Sequence, residues 1–226
     1  MEVSESRYWY LRNHDLFSPL NEEKLKEVSW IKRHIVAKKG EVITFADTPD
    51  RRIYFLTEGM LKLVRSDEDG NEFLKDVIHQ DDIFGAVTSD AADPNEFAKV
   101  MSDKVVICSF SATEFDQVLT TYPEMALGYL RVMGNKLRHV ESRYNNMVYK
   151  DVKERLLSFL KNWAQAEGRK IGDMWVIRNY LTHQDIAHLI CSTRQTVTQL
   201  LNDMEKDGFL KYSRRDIRIL KQIQTT

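Results

Sequence analysis

Residues 182–205, THQDIAHLICSTRQTVTQLLNDME, contain two short amphipathic periods separated by a polar interruption of small residues. The apolar positions of the two periods are Ile186, Ala187, Leu189 and Ile190, then Val197, Leu200, Leu201 and Met204. Thr182 with Asp185, and Ser192 with Gln195, are each spaced as a capping box, which marks two helix starts. Two short helices joined by a turn of a few residues predict a helix-turn-helix.

The outward face of the second helix is expected to be polar. It carries Arg194, Gln195, Thr198, Gln199 and Asn202. Long basic or uncharged hydrogen-bonding side chains on an exposed helix suit the base edges of a DNA major groove. A solvated polar face is the simpler interpretation for an arbitrary helix pair, so the surrounding sequence has to decide between the two.

Charge is distributed unevenly along the 226-residue chain. The net charge is −1, but residues 151–226 hold 13 Lys and Arg against 9 Asp and Glu, whereas residues 1–150 hold 20 against 25. Phosphate binding needs local positive charge, and the positive half is the one with the helix pair. No apolar window approaches the roughly 18 residues of a membrane span, and the first residues lack a signal core. We therefore expect a cytoplasmic protein without membrane contact.

From Lys39 onward the pattern changes from helical to short strand runs separated by turn signals. The runs are residues 40–45, 53–59, 60–66, 73–78, 79–85 and 105–110. Asp69-Gly70 is a strong hairpin signal between two of them. This spacing predicts a β-barrel, jelly roll or sandwich after a helical stretch at residues 15–37. Cys108 is expected to be a buried strand thiol.

A heptad seam follows the strands. Apolar residues separated alternately by four and three positions are Ala126, Leu130, Met133, Leu137, Val140, Tyr144 and Met147. A regular 3.5-residue period favours a partner helix, and the simplest partner is a second copy of the chain. Residues 123–149 are therefore predicted to form a dimerisation helix about 30 Å or more in length.

The seam ends at a predicted hinge formed by Tyr149, Lys150 and Asp151. An amphipathic helix then opens a second domain, a loop is expected between Gly168 and Gly172, and a strand leads into Thr182. After the helix pair, two strand runs flank Ser213–Asp216 and predict a β-hairpin wing. The arginines at its tip, Arg214 and Arg215, are expected to touch the DNA backbone, although an exposed polar turn explains either one alone equally well.

The order of these elements resembles the Crp/Fnr family of bacterial transcription regulators, from about Leu16 to Leu220. Residues 38–72 resemble the family's β-roll, MVYKDVKERL resembles its hinge, and THQDIAHLICSTRQTVTQLL resembles its helix-turn-helix. The resemblance implies an α+β fold. It comprises a double-stranded β-helix (jelly-roll) sensor domain at residues 1–122, the dimerisation helix, and a winged helix-turn-helix at residues 150–226. It also implies a homodimer on double-stranded DNA with a palindromic operator, and RNA polymerase as a partner.

The resemblance assigns roles to individual residues. Arg194 falls on the family's guanine-reading arginine, whereas Gln195 stands where a glutamate is usual and Gln199 where the best-known member has arginine. Cys191 stands where the family commonly has glycine. The base-reading set is Arg194, Gln195, Thr198 and Gln199. The phosphate-contacting set is Thr182, Gln184, Ser192, Thr193, Thr196, Arg214 and Arg215. Because glutamine pairs best with adenine, we expect a half-site that keeps one guanine but departs from the usual family sequence.

The sensor domain departs further from the cyclic-nucleotide members. Their Gly-Glu pair falls here on Gly85-Ala86, and their Arg-Ser pair on Glu96-Phe97, where a carboxylate would repel phosphate. Their adenine-contacting positions fall on Val140 and Glu141. Control by cyclic AMP is therefore not expected, although another small molecule could bind. The effector pocket implied by the resemblance comprises Gly85, Ala86, Val87, Glu96, Phe97 and Ala98.

No cofactor and no metal site are predicted. The 2 cysteines are too few for a four-cysteine iron–sulfur cluster. Haem binding stays an alternative, because four histidines are available as ligands: His14, His34, His79 and His139. Packing or surface roles are commoner for such histidines. An enzyme is disfavoured, since none of the 6 histidines has the His-x-His spacing of metal-dependent β-roll enzymes. An alternative is a regulatory dimer that senses an unidentified small molecule or haem and acts mainly through protein contacts.

Overall fold

The computed structural model describes residues 11–12, 14, 16–30, 33–45, 51–85, 93 and 95–220. The chain separates into two compact units, Met1–Arg138 and His139–Thr226, and the division falls inside one long helix. The sequence-based division at residues 122 and 149 stays a prediction.

In its described residues, the first unit is built from two four-stranded antiparallel sheets. Its strands are β1 (Arg33–Lys38), β2 (Val42–Thr44), β3 (Arg52–Glu58), β4 (Leu61–Ser66), β5 (Glu72–Ile78), β6 (Ile83–Gly85), β7 (Glu96–Val100) and β8 (Lys104–Ser111). The strand orders are β1-β8-β3-β6 and β2-β7-β4-β5. This arrangement confirms the predicted fold class, with an antiparallel β-sandwich as the sensor.

Strand β3 shows how the first unit buries two cores. Because successive side chains of a strand point to opposite faces, Ile53 and Phe55 enter one apolar cluster while Tyr54 and Leu56 enter the other. The second cluster contains residues of both sheets. The first cluster includes Leu16, Phe17, Phe115 and Met125, so it fills the space between one sheet and the helices.

The long helices described in this unit are α1 (Glu22–Trp30), α2 (Ala112–Thr121) and α3 (Pro123–Tyr149), the last of which continues into the second unit. A capping box formed by Ser111 and Glu114 starts α2. Pro123 then opens the 27-residue α3, which fits a residue that lacks an N–H and has a fixed φ. Pro123 thus marks the boundary between α2 and α3.

The second unit is a helix-turn-helix packed with a small sheet. Its elements are α4 (Val152–Glu167), β9 (Arg169–Ile171), β10 (Met174–Arg178), α5 (His183–Leu189), α6 (Arg194–Lys206), β11 (Leu210–Tyr212) and β12 (Asp216–Ile219). The antiparallel sheet has the order β11-β12-β10-β9. The predicted helix pair and the predicted hairpin wing are both present. Within the described residues, no helix is both long and apolar enough to cross a bilayer.

Three strands depart from the sequence expectations. β1 lies inside the stretch predicted to be helical, β7 was not predicted, and β9 occupies the predicted loop between Gly168 and Gly172. Each is defined by its neighbours: β1 pairs with β8, β7 lies between β2 and β4, and β9 pairs with β10. Long-range pairing, rather than local pattern, fixes these three segments.

Candidate nucleic-acid interface

The turn between α5 and α6 is held by backbone geometry and by a hydroxyl cap. The Ser192 N–H donates to the Ala187 carbonyl at 2.8 Å, and Cys191 adopts a left-handed φ of 53°. This pattern closes the end of α5 in the manner of a Schellman motif. Thr193, not Ser192, is the N-cap of α6, since its hydroxyl accepts from the Thr196 N–H at 3.2 Å. The predicted Ser192–Gln195 capping box is therefore wrong, whereas the Thr182–Asp185 box is confirmed.

Helix α6 divides sharply into a buried face and an exposed face. Val197, Leu201 and Met204 are buried. The opposite side forms an open surface lined by Thr193, Arg194, Gln195, Thr198, Gln199, Asn202, Asp203 and Lys206. The structure thus brings the four predicted base-reading residues together, with Asn202 and Lys206 extending the surface toward the end of the helix.

Arg194, Gln195 and Gln199 are exposed on this surface. Within the described part of the chain, the Arg194 guanidinium forms no ion pair with a carboxylate. Its planar fork is therefore available for the two acceptors of guanine, and the glutamine amides for the donor and acceptor edge of adenine.

Most of the predicted phosphate-contacting side chains of the helix pair already form hydrogen bonds within the protein. The Thr182 hydroxyl serves the N-cap of α5, and the Thr193 and Thr196 hydroxyls lie 2.9 Å apart at the start of α6. The Gln184 amide donates to Nε2 of His188 at 2.6 Å. Ser192 is half-buried in the turn. Hydroxyls and N–H groups at a helix N-terminus suit phosphate oxygens.

The wing is organised by Ser213. Its hydroxyl accepts from the Arg215 and Asp216 N–H groups at 3.2 and 2.9 Å and lies 2.9 Å from an Asp216 carboxylate oxygen. The Arg218 guanidinium, followed by the Ser213 hydroxyl, holds the pKa of Asp216 below its usual range. Arg214 and Arg215 are exposed at the tip. Two predicted phosphate contacts therefore lie side by side on a tightly bonded turn.

A half-buried histidine at the start of α5 was missed by the sequence reasoning. Nδ1 of His183 lies 2.7 Å from the Thr198 hydroxyl, and its ring meets the Tyr212 ring edge-on at 4.9 Å between centroids. Burial, and then the charge of Arg194, lowers the pKa of His183. The contact joins α5, α6 and β11, so no local sequence pattern could have revealed it.

The predicted hinge lies between two helices. α3 ends at Tyr149, and Asp151 caps α4 in a capping box with Glu154. The Arg155 guanidinium donates to the carbonyls of Lys150, Ile190 and Cys191 at 2.9, 2.8 and 3.1 Å. One side chain therefore ties the hinge to the turn of the helix-turn-helix. This role of Arg155 was also missed.

The predicted dimer seam is largely exposed along α3. Leu130, Leu137, Val140, Tyr144 and Met147 have relative exposures of 64%, 59%, 57%, 64% and 49%. Ala126 and Met133 are half-buried, and Met133 packs against the core of its own unit. The same helix also exposes Leu127 and Val148, at 60% and 54%, which the seam did not include.

The predicted effector positions lie on strands of different sheets. Gly85 ends β6, whereas Glu96, Phe97 and Ala98 belong to β7; Ala86 and Val87 lie outside the described residues. The Glu96 carboxylate is paired with the Lys75 ammonium. The Lys99 ammonium lies 5.7 Å from the centre of the Phe97 ring, and Ala98 is fully buried.

The candidate haem histidines have separate environments. His14 is buried and its Nδ1 accepts from the Leu16 N–H at 3.1 Å, while Nδ1 of His34 lies 3.5 Å from Sγ of the buried Cys108. Nδ1 of His79 lies 3.7 Å from Asp82, and His139 is exposed on α3. Across the described ranges, no three His, Cys, Asp or Glu side chains cluster in a way that could hold a metal ion.

Comparison with known proteins gives matches over both units. The family model for the Crp-like helix-turn-helix domain matches residues 154–222, and that for the cyclic nucleotide-binding domain matches residues 34–122. The global nitrogen regulator of Nostoc sp. is 28% identical over 188 residues, covering 82% of this chain and 84% of that protein. The CRP-like cAMP-activated global transcriptional regulator of Mycobacterium tuberculosis is 25% identical over 197 residues, covering 87% and 85%. A mutant of CooA from Carboxydothermus hydrogenoformans superposes with a TM-score of 0.75 at 25% identity, covering 93% of each chain.

Proposed function

Since this chain belongs to the Crp/Fnr family of transcription regulators, we propose that it binds a palindromic DNA operator as a homodimer. The observation that carries the proposal is the exposed polar face of α6, on which Arg194, Gln195 and Gln199 lie together. One basic and two amide side chains therefore face solvent together, and these are the side-chain types that read guanine and adenine in the major groove. The family acts in transcription regulation.

The exposed apolar stripe of α3 supports the homodimer. Five of its side chains, including Leu130 and Tyr144, are about half exposed or more, and large apolar patches on a monomer commonly mark an interaction surface. A two-fold axis along this helix would place two copies of α6 on successive major grooves, about 34 Å apart. The operator is then expected to be palindromic, because its symmetry mirrors that of the protein.

Each half-site is expected to contain one guanine read by Arg194 and adenines read by Gln195 or Gln199. The guanidinium fork matches O6 and N7 of guanine, and a glutamine amide matches N6 and N7 of adenine. Arg214 and Arg215 of the wing, together with hydroxyls such as that of Thr193, would contact phosphates. These contacts add affinity without selecting sequence.

We propose that cyclic AMP does not control this protein, in contrast to what the name of the Mycobacterium tuberculosis relative says of that protein. The position implied for cyclic phosphate recognition carries the Glu96 carboxylate, which is already paired with Lys75. A second negative group there would face electrostatic repulsion. Isothermal titration calorimetry should therefore detect no heat of cyclic AMP binding, and micromolar affinity would contradict this part of the proposal.

We further propose that the protein works in the cytoplasm, where the operator and RNA polymerase are found. Genome-wide binding of the native protein would identify operators and show whether polymerase occupies the same promoters. Bound sites that never coincide with polymerase would remove polymerase as a partner and leave the operator-binding proposal standing.

The decisive experiment is selection from a random DNA pool, followed by fluorescence anisotropy on the selected operator. Arg194→Ala should lower affinity by about 30-fold or more, since each of two half-sites loses a contact of about 1–3 kcal/mol. Arg169→Ala is the matched control, because Arg169 is an exposed arginine of the same unit on β9. Its loss should change affinity only slightly.

The alternative is a regulatory dimer that senses a small molecule or haem and acts mainly through protein contacts. The exposed stripe of α3 fits this function as well, but it gives no reason for the composition of the α6 surface. If selection returned no preferred sequence, and Arg194→Ala and Arg169→Ala behaved alike, the alternative would be favoured.

A further inference from the structure

We propose that Thr198 reads a thymine in each half-site through its methyl group, with His183 as the positioning residue that holds the threonine hydroxyl. This inference rests on the proposed operator-binding function and refines it at one position of α6. The starting observation is that Thr198 lines the same open surface as Arg194 and Gln199, although its hydroxyl is bonded on two sides.

The hydroxyl proton of Thr198 is used within the protein in either tautomer of His183. The hydroxyl oxygen lies 2.8 Å from the main-chain carbonyl oxygen of Arg194 and 2.7 Å from Nδ1 of His183. A hydroxyl has one donor proton and two acceptor lone pairs. If Nδ1 carries a proton, the hydroxyl accepts it and donates to the carbonyl; if Nδ1 is bare, the hydroxyl donates to it. Thr198 therefore has no proton for the acceptor groups of guanine, adenine or thymine.

His183 is itself held in place by its neighbours. Its ring packs edge-on against Tyr212 of β11, and it occupies the first position of α5, directly after the Thr182 cap. Burial and the nearby Arg194 charge keep the imidazole neutral at neutral pH by lowering its pKa. A neutral ring fixed between α6 and β11 holds the Thr198 hydroxyl at one orientation about the Cα–Cβ bond.

A lone pair of the hydroxyl can still accept from the amino group of adenine or cytosine, but it offers nothing to the O4 acceptor of thymine. The Thr198 methyl is therefore the group that can select thymine. In the major groove, thymine is distinguished by its C5-methyl group, which favours apolar contacts such as a threonine methyl. Burying one methyl-sized group contributes about 0.8 kcal/mol, which corresponds to about fourfold in affinity. Because a homodimer uses both half-sites, the combined effect is expected to be about 15-fold.

The test replaces thymine by deoxyuridine, which lacks only the C5-methyl group, at each half-site thymine of the selected operator in turn. Both half-sites are changed together, and affinity is measured by fluorescence anisotropy. The wild-type protein should lose about 15-fold at one position and little at the others. Thr198→Val retains methyl groups in the same shape and should keep the preference for thymine over uracil. Thr198→Ser retains the hydroxyl alone and should lose it.

The role of His183 is tested by His183→Phe, which keeps an aromatic ring beside Tyr212 but cannot bond to the hydroxyl. In the Thr198 background this variant should reduce the thymine preference. In the Thr198→Val background it should leave the preference unchanged, because there is no hydroxyl to hold. A purely structural role would instead weaken binding to thymine and uracil operators equally in both backgrounds.

The two proposals fail in different ways. A wild-type protein that binds its operator but does not distinguish thymine from uracil at any half-site position overturns the role of Thr198 and leaves the operator-binding function intact. A thymine preference that survives Thr198→Ser overturns it as well. Failure to select any operator overturns the DNA-binding function, and the inference falls with it.

Discussion

The two units differ in how they treat polar groups at the positions where a ligand is expected. On β7 of the first unit, the Glu96 carboxylate is paired with Lys75, and Ala98 is fully buried. On α6 of the second unit, Arg194 and Gln199 are exposed on an open surface. The Glu96 carboxylate already has a partner within the protein, whereas the Arg194 and Gln199 side chains are exposed and accessible to an external partner.

This difference distinguishes the surface expected to bind DNA from the positions expected to bind an effector. Exposed hydrogen-bonding groups on a rigid helix are prepared for binding without further rearrangement, which lowers the cost of ordering side chains. Groups that already form an ion pair must give up that pair before they recognise a ligand. We therefore expect changes in the second unit to alter DNA recognition directly, and changes in the first unit to act mainly through stability or assembly.

The largest expected effect is on assembly. Leu137→Glu places a charge in the exposed apolar stripe of α3, where a homodimer would have to bury it twice. The dimer dissociation constant should rise by about 100-fold or more, because a buried unpaired charge is costly. Sedimentation velocity measures the change. Asn135→Glu is the control, since Asn135 is exposed about 200° around the helix from Leu137; an equal loss of dimer in both variants would remove the stripe as the interface.

The next effect compares two glycines of the first unit. Gly85 has a φ of +87°, and a Cβ there would lie 2.5 Å from the Arg52 carbonyl oxygen, whereas Gly70 has a φ of +80° with open space around it. Gly85→Ala should therefore lower the free energy of unfolding by about 2–4 kcal/mol, and Gly70→Ala by about 1 kcal/mol. Chemical denaturation checks both values. Equal losses would mean that backbone strain alone, rather than close packing against β3, governs Gly85.

A comparable effect is expected in the second unit at Arg155. Arg155→Met keeps most of the aliphatic stem but leaves three carbonyls, those of Lys150, Ile190 and Cys191, without their donor. A loss of about 2–3 kcal/mol is expected, because charged donors are removed from a half-buried site. Hydrogen exchange should then accelerate at the end of α5 and around the hinge. Protection that falls uniformly over the second unit would argue against a local tie between these segments.

These examples also show which parts of the fold and site the sequence could reveal. Helices α5 and α6 are marked locally, by caps such as Thr182 and by apolar periodicity, and the face of α6 follows from spacing alone. The strand β7 was not predicted because its short sequence, Glu-Phe-Ala-Lys-Val, has no strong strand signal of its own. It forms a strand through its pairing with β2 and β4. The roles of Arg155 and His183 were not predicted for the same reason, since each side chain contacts a residue at least 15 positions away.

The cap of α6 illustrates a finer limit. Ser192 and Thr193 are both good N-cap residues, and spacing to Gln195 favours the first. In the structure Thr193 is the N-cap. Cys191 has a left-handed φ, so the Ser192 N–H donates to the Ala187 carbonyl and Ser192 belongs to the end of α5 rather than to the start of α6. The choice depends on backbone closure of the preceding helix, which a side-chain pattern does not encode.

Cys191 offers a smaller, opposite effect to that at Gly85. Its φ of 53° strains a residue with a Cβ, so Cys191→Gly should raise the free energy of unfolding by about 0.5–1 kcal/mol. Cys191→Ala keeps the strain and serves as the control. Denaturation curves for the two variants that coincide would show that the left-handed φ of Cys191 causes no measurable strain.

The smallest expected effect is a pH dependence confined to the second unit. Burial lowers the pKa of His183 in the folded protein, so protonation favours the unfolded chain. The stabilising contribution is fully present above the unfolded pKa of about 6.5 and is lost as the pH falls from there through the lower pKa of the folded protein. The wild-type melting temperature should therefore drop more between pH 7.5 and pH 5.5 than that of His183→Phe, as measured by scanning calorimetry. Because the two proteins differ only at residue 183, the difference between the two pH profiles isolates His183. Identical profiles would show that folding does not hinder protonation of its ring.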